Sequence, residues 1–156
     1  MPIISPVLVV TLWIGAMWVV GYMVAPTLFS MLPDRRLAGN VAGQLFTLVA
    51  WIGIGSAAYL LMFLAMRLGW QAFRNGLFWL VLVLLLCTIA GQYGIQPLMA
   101  ELKASAWPRE VMNSMMRDRF STWHGVSSVL YLLQSLLGYR AGTGFAAYPA
   151  LMRRVA

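Results

Sequence analysis

The stretch Gly76-Leu77-Phe78-Trp79-Leu80-Val81-Leu82-Val83-Leu84-Leu85-Leu86-Cys87-Thr88-Ile89-Ala90-Gly91-Gln92-Tyr93-Gly94-Ile95-Gln96 decides the fold. It contains no Asp, Glu, Lys or Arg, and it matches the roughly 20 apolar residues that cross the hydrocarbon core of a bilayer as a helix. Arg74 and Glu101 bound the charge-free tract around it, and Pro97 follows it directly. Three further tracts, 1–33, 37–66 and 120–139, also lack all four charged residue types. Each is long enough to span. The expected fold is therefore all-α: an integral membrane four-helix bundle with spans at about 6–31, 45–66, 76–96 and 120–139. The membrane domain covers 1–140, and 141–156 reads as a short, loose, basic tail.

Composition agrees with a membrane environment. Of the 156 residues, 62% are hydrophobic and 10% are charged, whereas a soluble domain carries about 25% charged residues. The formal net charge is +7. The basic residues sit between the apolar tracts or at the C-terminal end, where anionic headgroups favour them. No basic stripe with interleaved aromatics is present, so nucleic acid is not an expected partner. The expected partners are membrane lipids, with a second copy of the chain or another membrane protein as further candidates.

The first tract does not read as a cleaved signal sequence: it has no basic n-region, it is too long, and no A-x-A site follows it. Pro26 within it should disturb the helix by removing a backbone donor. Asp34 can cap the second helix, which over 37–66 would reach about 45 Å. Its first turns, Leu37 to Gln44, should therefore lie in the interface. Between the third and fourth tracts, Pro108 suits the first turn of an interfacial helix carrying Met112, Met115, Met116 and Phe120. Those methionines read as packing residues rather than soft-metal ligands. The tryptophans Trp13, Trp18, Trp51, Trp70, Trp79, Trp107 and Trp123 divide between interfacial belts and packing.

Orientation is evenly balanced by charge. Arg67, Arg74, Arg140, Arg153 and Arg154 fall on the side of both termini, and Arg35, Arg36, Lys103, Arg109, Arg117 and Arg119 on the other. The compact, acid-free Arg67/Arg74 loop leans toward cytoplasmic termini.

Four spans alternate in direction, which gathers the uncharged polar residues at one membrane face: Tyr22, Asn40, Gln44, Gln92, Tyr93, Gln96, His124, Ser127 and Ser128. The opposite half has fewer, mainly Ser56, Gln134 and Ser135. Asn40/Gln44 and Gln92/Gln96 are i,i+4 pairs, and His124, Ser127 and Ser128 stand at i, i+3 and i+4, so each set shares a helical face. Lipid satisfies none of these groups. The expectation is a ligand-binding pocket near one surface, formed by His124, Ser127, Ser128, Gln92, Gln96, Asn40 and Gln44, for a headgroup, quinone or other small amphiphile. The competing reading is interhelical hydrogen bonding, at about 0.6–2 kcal/mol per bond.

His124 is the only histidine, so no two-histidine haem or histidine-rich copper site exists within one chain. The lone Cys87 forms no internal disulfide and reads as an apolar filler. No catalytic residues, metal site or cofactor are expected: there is no Ser-His-Asp set, carboxylate pair or phosphate loop. Gly39-x-x-x-Gly43 invites close helix packing, as do Gly53/Gly55 and Gly91/Gly94.

Three segments carry a family resemblance: Gly21-Tyr22-Met23-Val24-Ala25-Pro26-Thr27-Leu28-Phe29, Leu32-Pro33-Asp34-Arg35-Arg36, and Phe120-Ser121-Thr122-Trp123-His124-Gly125-Val126-Ser127-Ser128. Over about 7–139 the chain resembles the bacterial DUF4149 proteins and the eukaryotic transmembrane-protein-205-like group. It departs from their pattern at Tyr131, where asparagine is common. The resemblance implies a small four-helix protein of the bacterial inner membrane with no established activity. Three functions remain open: a non-enzymatic binding or accessory protein, an oligomeric transporter or permeation subunit for a small molecule, and a quinone- or haem-linked redox protein using His124. The absence of any intramembrane acid or base to couple ions weighs against transport.

Overall fold

The computed structural model describes residues 5–98, 101 and 114–155, apart from the side chains of 35–36, 114–121, 124 and 148–155. Every element is helical. In chain order they are α1 Pro6–Trp18, a π turn Val19–Val24, α2 Ala25–Met31, α3 Arg35–Leu68, a 3-10 turn Gly69–Arg74, α4 Gly76–Ala90, a second π turn Gly91–Ile95, and α5 Ser114–Val155. Three continuous rods, Pro6–Met31, Leu37–Arg74 and Gly76–Leu98, are long and apolar enough to cross a membrane. Their lipid-type surfaces stay uncovered, with Leu8, Leu12, Met62, Leu86 and many like them exposed.

The ends of the elements follow from local chemistry. The carbonyl of Asp34 accepts the Ala38 N–H at 3.0 Å as α3 begins. At the other end Gly69 takes φ +53°, a left-handed conformation that glycine adopts without a Cβ clash. The chain then turns sharply, and the Asn75 side chain accepts the Leu77 N–H at 2.9 Å to start α4.

α1 lies against α3 and α5, and α4 also lies against α3 and α5. The core runs along the axis they share: Val10, Trp13, Ile14 and Met17 of α1, Val49, Ala57, Leu60 and Leu64 of α3, Val81 and Leu84 of α4, and Ala141 and Phe145 of α5. With lipid outside, apolar burial contributes little, and close fit supplies the stability. Glycines create that fit. A Cβ on Gly53 would stand 2.5 Å from Trp13 Nε1, one on Gly138 2.1 Å from Ile14 Cδ1, and one on Gly144 2.7 Å from Leu77 Cδ1. Trp13 is consequently a packing residue, whereas Trp70 and Trp79 are exposed at the α3–α4 turn.

One expectation changes. The segment after Tyr139 is not a loose tail: α5 continues to Val155, and Ala141 and Phe145 are core residues. The inner end of α5 therefore lies about one and a half turns further along the chain than the charge-free tract suggests. Gly138 meets Ile14 in the body of α1, and only Gly144 reaches Leu77 in the first turn of α4. Arg140 and the glycines after it looked like a helix terminus. Instead Arg140 is exposed on the helix flank. Gly39 is buried, while a Cβ on Gly43 would meet nothing within 4 Å. Of the helix expected from Pro108 through Phe120, residues 108–113 lie outside the described residues, and the backbone of 114–120 forms the first turns of α5.

Candidate functional site

Both proline-bearing rods change geometry in the same way. Pro26 follows the π turn Val19–Val24, and Pro97 follows the π turn Gly91–Ile95. A proline ring clashes with the carbonyl four residues back and offers no N–H. Those carbonyls belong to Tyr22 and Tyr93, inside the two π turns. Widening the turn by one residue relieves the clash, so the disturbance expected at Pro26 takes the form of a π turn.

Tyr131 of α5 ties the first of these turns to its neighbours. Its hydroxyl donates to the Met17 carbonyl, and its ring meets Tyr22 edge-on with centroids 6.0 Å apart and Phe46 of α3 at 5.5 Å. The ring lies so close over Gly21 that a Cβ there would stand 2.2 Å from Tyr131 Cε1. One turn away, the Tyr22 hydroxyl and Ser135 Oγ are 3.0 Å apart in a hydrogen bond.

A second polar contact joins α5 to α4. Gln134 Nε2 donates to Thr88 Oγ1 at 3.0 Å, and Thr88 Oγ1 donates to the Leu84 carbonyl at 2.8 Å. Gln134, Ser135, Thr88 and Ser56 are all buried. Buried amides and hydroxyls must be satisfied, and these bonds fix the register of α5 against its neighbours. In a Thr88→Val/Gln134→Leu double-mutant cycle, read by unfolding in detergent, we expect a coupling of about 0.6–1.7 kcal/mol. Additive single effects would show that the pair does not set the register.

The residues expected at the pocket occupy unequal environments. Gln92 lies in the second π turn and is half-buried. Its Oε1 is enclosed and has no hydrogen-bond partner among the described residues. Gln96, just beyond the turn, is half-buried as well. The same turn adjoins α5, where Leu130 would touch a Cβ on Gly91 at 3.8 Å. Ser127 is half-buried one turn before Leu130, and Ser128 beside it is exposed. Gln92 and Ser127 therefore belong to adjoining turns of one helix contact. Asn40 and Gln44 are exposed on α3, and the structure does not bring them into that contact. The side chain of His124 lies outside the described set.

Sequence reading missed the Thr88–Gln134 pair and the central role of Tyr131. A glutamine inside Leu132-Leu133-Gln134-Ser135-Leu136-Leu137 was the available signal, because an amide in a lipid-facing run needs a partner. The missing information was the relative register of α4 and α5, which no local spacing encodes. Among the described residues no three His, Cys, Asp or Glu side chains gather as a metal site.

Residues 8–108, well over half of the chain, match the sequence profile of DUF4149, a domain of unknown function. The chain belongs to the DUF4149 family. The matched DUF4149 region takes in, apart from Pro6 and Val7, the three rods among the described residues that are long enough to span a membrane, with Tyr22, Gln92 and Gln96 inside it. No curated protein and no solved structure matches the chain.

Proposed function

We propose that this DUF4149 protein is a four-span, non-enzymatic binding or accessory protein of the membrane. It holds a small amphiphile at the end of the molecule where the two π turns lie. α5 serves as the fourth span in this reading, and the protein resides in a bacterial inner membrane. The contact of α5 with both α1 and α4 supports the four-span arrangement. The observation that carries the binding site is the enclosed, unpaired Gln92 Oε1. A buried carbonyl oxygen without a donor costs about 1–3 kcal/mol, and a hydroxyl or N–H on a ligand headgroup removes that cost. In this reading Gln92, Gln96, Ser127, Ser128 and His124 supply the donors and acceptors of the pocket, and the exposed Asn40 and Gln44 stand outside it.

Native mass spectrometry of the detergent-extracted protein tests the proposal. Wild-type protein should retain an amphiphile adduct, and Gln92→Leu should lower its occupancy at least about tenfold, the effect of losing one buried hydrogen bond of about 1.4 kcal/mol. An adduct equally abundant in wild type and variant, or no adduct in either, would overturn the site.

The uncovered α3 strip of Asn40, Gly43 and Gln44 favours a second reading. Polar residues exposed at the margin of a span, beside a glycine with open space above it, suit contact with a second copy of the chain. An oligomeric permeation subunit would then form around that strip. A monomeric mass in the same spectra would exclude this reading.

A further inference from the structure

The opposite end of the molecule carries a different set of features. α3 ends in Tyr59, Met62, Phe63 and Met66, spaced i, i+3, i+4 and i+7, which line a shallow apolar groove of about 190 Å³ together with Arg67. The Arg67 guanidinium carbon lies 5.6 Å from the centre of the Phe63 ring, so the arginine stands over the end of the groove. A larger hollow of about 560 Å³ opens at the adjoining turn, lined by Leu68, Gln71, Arg74, Asn75 and Gly76. Arg67, which lines the groove, and Leu68, which lines the hollow, are consecutive residues of α3. One is apolar, and the other is polar and basic.

Aromatic rings mark the depth of this end in the bilayer. Trp70 is 86% exposed, and Phe73 and Trp79 are about half exposed. The rings form an edge-to-face series from Trp70 to Phe73, Phe78 and Trp79, with centroids 5.1–6.1 Å apart. Trp79 Nε1 donates to the Phe73 carbonyl at 2.8 Å, which fixes the series to the turn. Exposed, braced indoles of this kind sit at the headgroup level. Charge is one-sided here. Of the four acidic residues, Asp34 and Glu101 lie at the other end of the rods, and none of the four lies between Arg67 and Arg74 or after Arg119 in the sequence.

We propose that the α3–α4 turn is a binding site for an anionic phospholipid. The headgroup phosphate occupies the hollow beside Gln71, Arg74 and Asn75. Arg67 stands over the end of the groove, and an acyl chain lies along Tyr59, Met62, Phe63 and Met66. An apolar groove and a basic hollow at neighbouring positions of one helix end, both at the aromatic level, match a lipid, in which chain and phosphate are covalently joined. A free anion would use only the hollow. The site is separate from the Gln92 pocket at the opposite membrane face, so either proposal can fail without the other.

The test is native mass spectrometry of the full chain with equimolar phosphatidylglycerol and phosphatidylcholine of the same acyl chains. The first lipid bound should be phosphatidylglycerol, by about fivefold or more. Arg67→Gln and Arg74→Gln should each weaken that binding about fivefold, the contribution of one basic side chain at an anionic surface. The double variant should remove the preference. Met62→Trp, which fills the groove and leaves the charge alone, should weaken both lipids. Arg35→Gln/Arg36→Gln, at the other face, should change nothing. Equal retention of the two lipids by wild type overturns the proposal. So does an Arg67/Arg74 double variant that matches the Arg35/Arg36 control. Competition by inorganic phosphate at the lipid's concentration would assign the hollow to free phosphate and overturn the lipid site.

Discussion

Removing residues 141–156 is expected to destabilise the folded protein strongly, whereas removing 150–156 leaves its stability nearly unchanged. The longer truncation takes away Phe145, which is 1% exposed, and Ala141, which is fully buried. It also removes Gly144, whose Cα lies close to Leu77 at the start of α4. Emptying a site filled by a buried phenylalanine costs about 3–5 kcal/mol in a water-soluble core. In a bilayer the transfer component shrinks because lipid is as apolar as the core, but the lost dispersion contacts remain. We expect a loss of at least about 3 kcal/mol, or a fall in Tm of roughly 10 °C for a chain of this length, measured by thermal unfolding in detergent. Phe145→Ala should give most of that loss without shortening the chain. A truncation at 140 that unfolds like wild type would restore a helix ending near Tyr139.

The glycine series has the next largest effect. Gly53→Ala should cost about 1–3 kcal/mol, since the new methyl would stand 2.5 Å from Trp13 Nε1 and 3.0 Å from Cε2, atoms of a rigid, buried ring. Gly21→Ala should behave in the same way against the ring of Tyr131. Gly138→Ala should be milder, because its nearest neighbour is the Ile14 Cδ1 methyl, which can rotate away. Gly43→Ala and Gly15→Ala meet open space, and they should gain up to about 1 kcal/mol from the higher helix propensity of alanine. Trp13→Phe should restore part of the stability that Gly53→Ala loses, since the smaller ring vacates the indole nitrogen's position. Equal effects at Gly53 and Gly43 would mean that the close approach does not stabilise the fold.

The contrast between those glycines marks what the sequence could convey. The three apolar rods were legible because charges stop them: Asp34 and Arg35, Arg67, Arg74 and Glu101 interrupt uncharged tracts of membrane length. α5 was legible as a helix but not in its extent. It mixes Gln134, Ser135 and His124 with leucines, and Arg140 gave it a false end. Which glycines admit a neighbour was not legible either. Gly43 has the motif spacing yet faces open space, while tight approaches fall at Gly21, Gly53, Gly138 and Gly144. A close approach depends on what stands opposite, and that is fixed by the relative register of two helices distant in sequence. Gln92 stood out in the sequence as an amide inside an apolar tract. That its Oε1 would be left enclosed, while Gln134 found Thr88, depended on the same register.

The two π turns have a consequence for helical phase. A π turn is a single surplus residue in an otherwise regular helix. Deleting one residue from Val19–Val24 or from Gly91–Ile95 would remove the surplus residue and leave the residues on either side facing nearly as they do now, while restoring the clash of Pro26 or Pro97 with the carbonyl four residues back. Deleting one residue anywhere else in the same rods would rotate everything beyond it by about 100°, turning Trp13 or Leu84 away from the core. Each rod thus contains one place where its length can change by one without scrambling its faces, and in both rods that place lies just ahead of a proline.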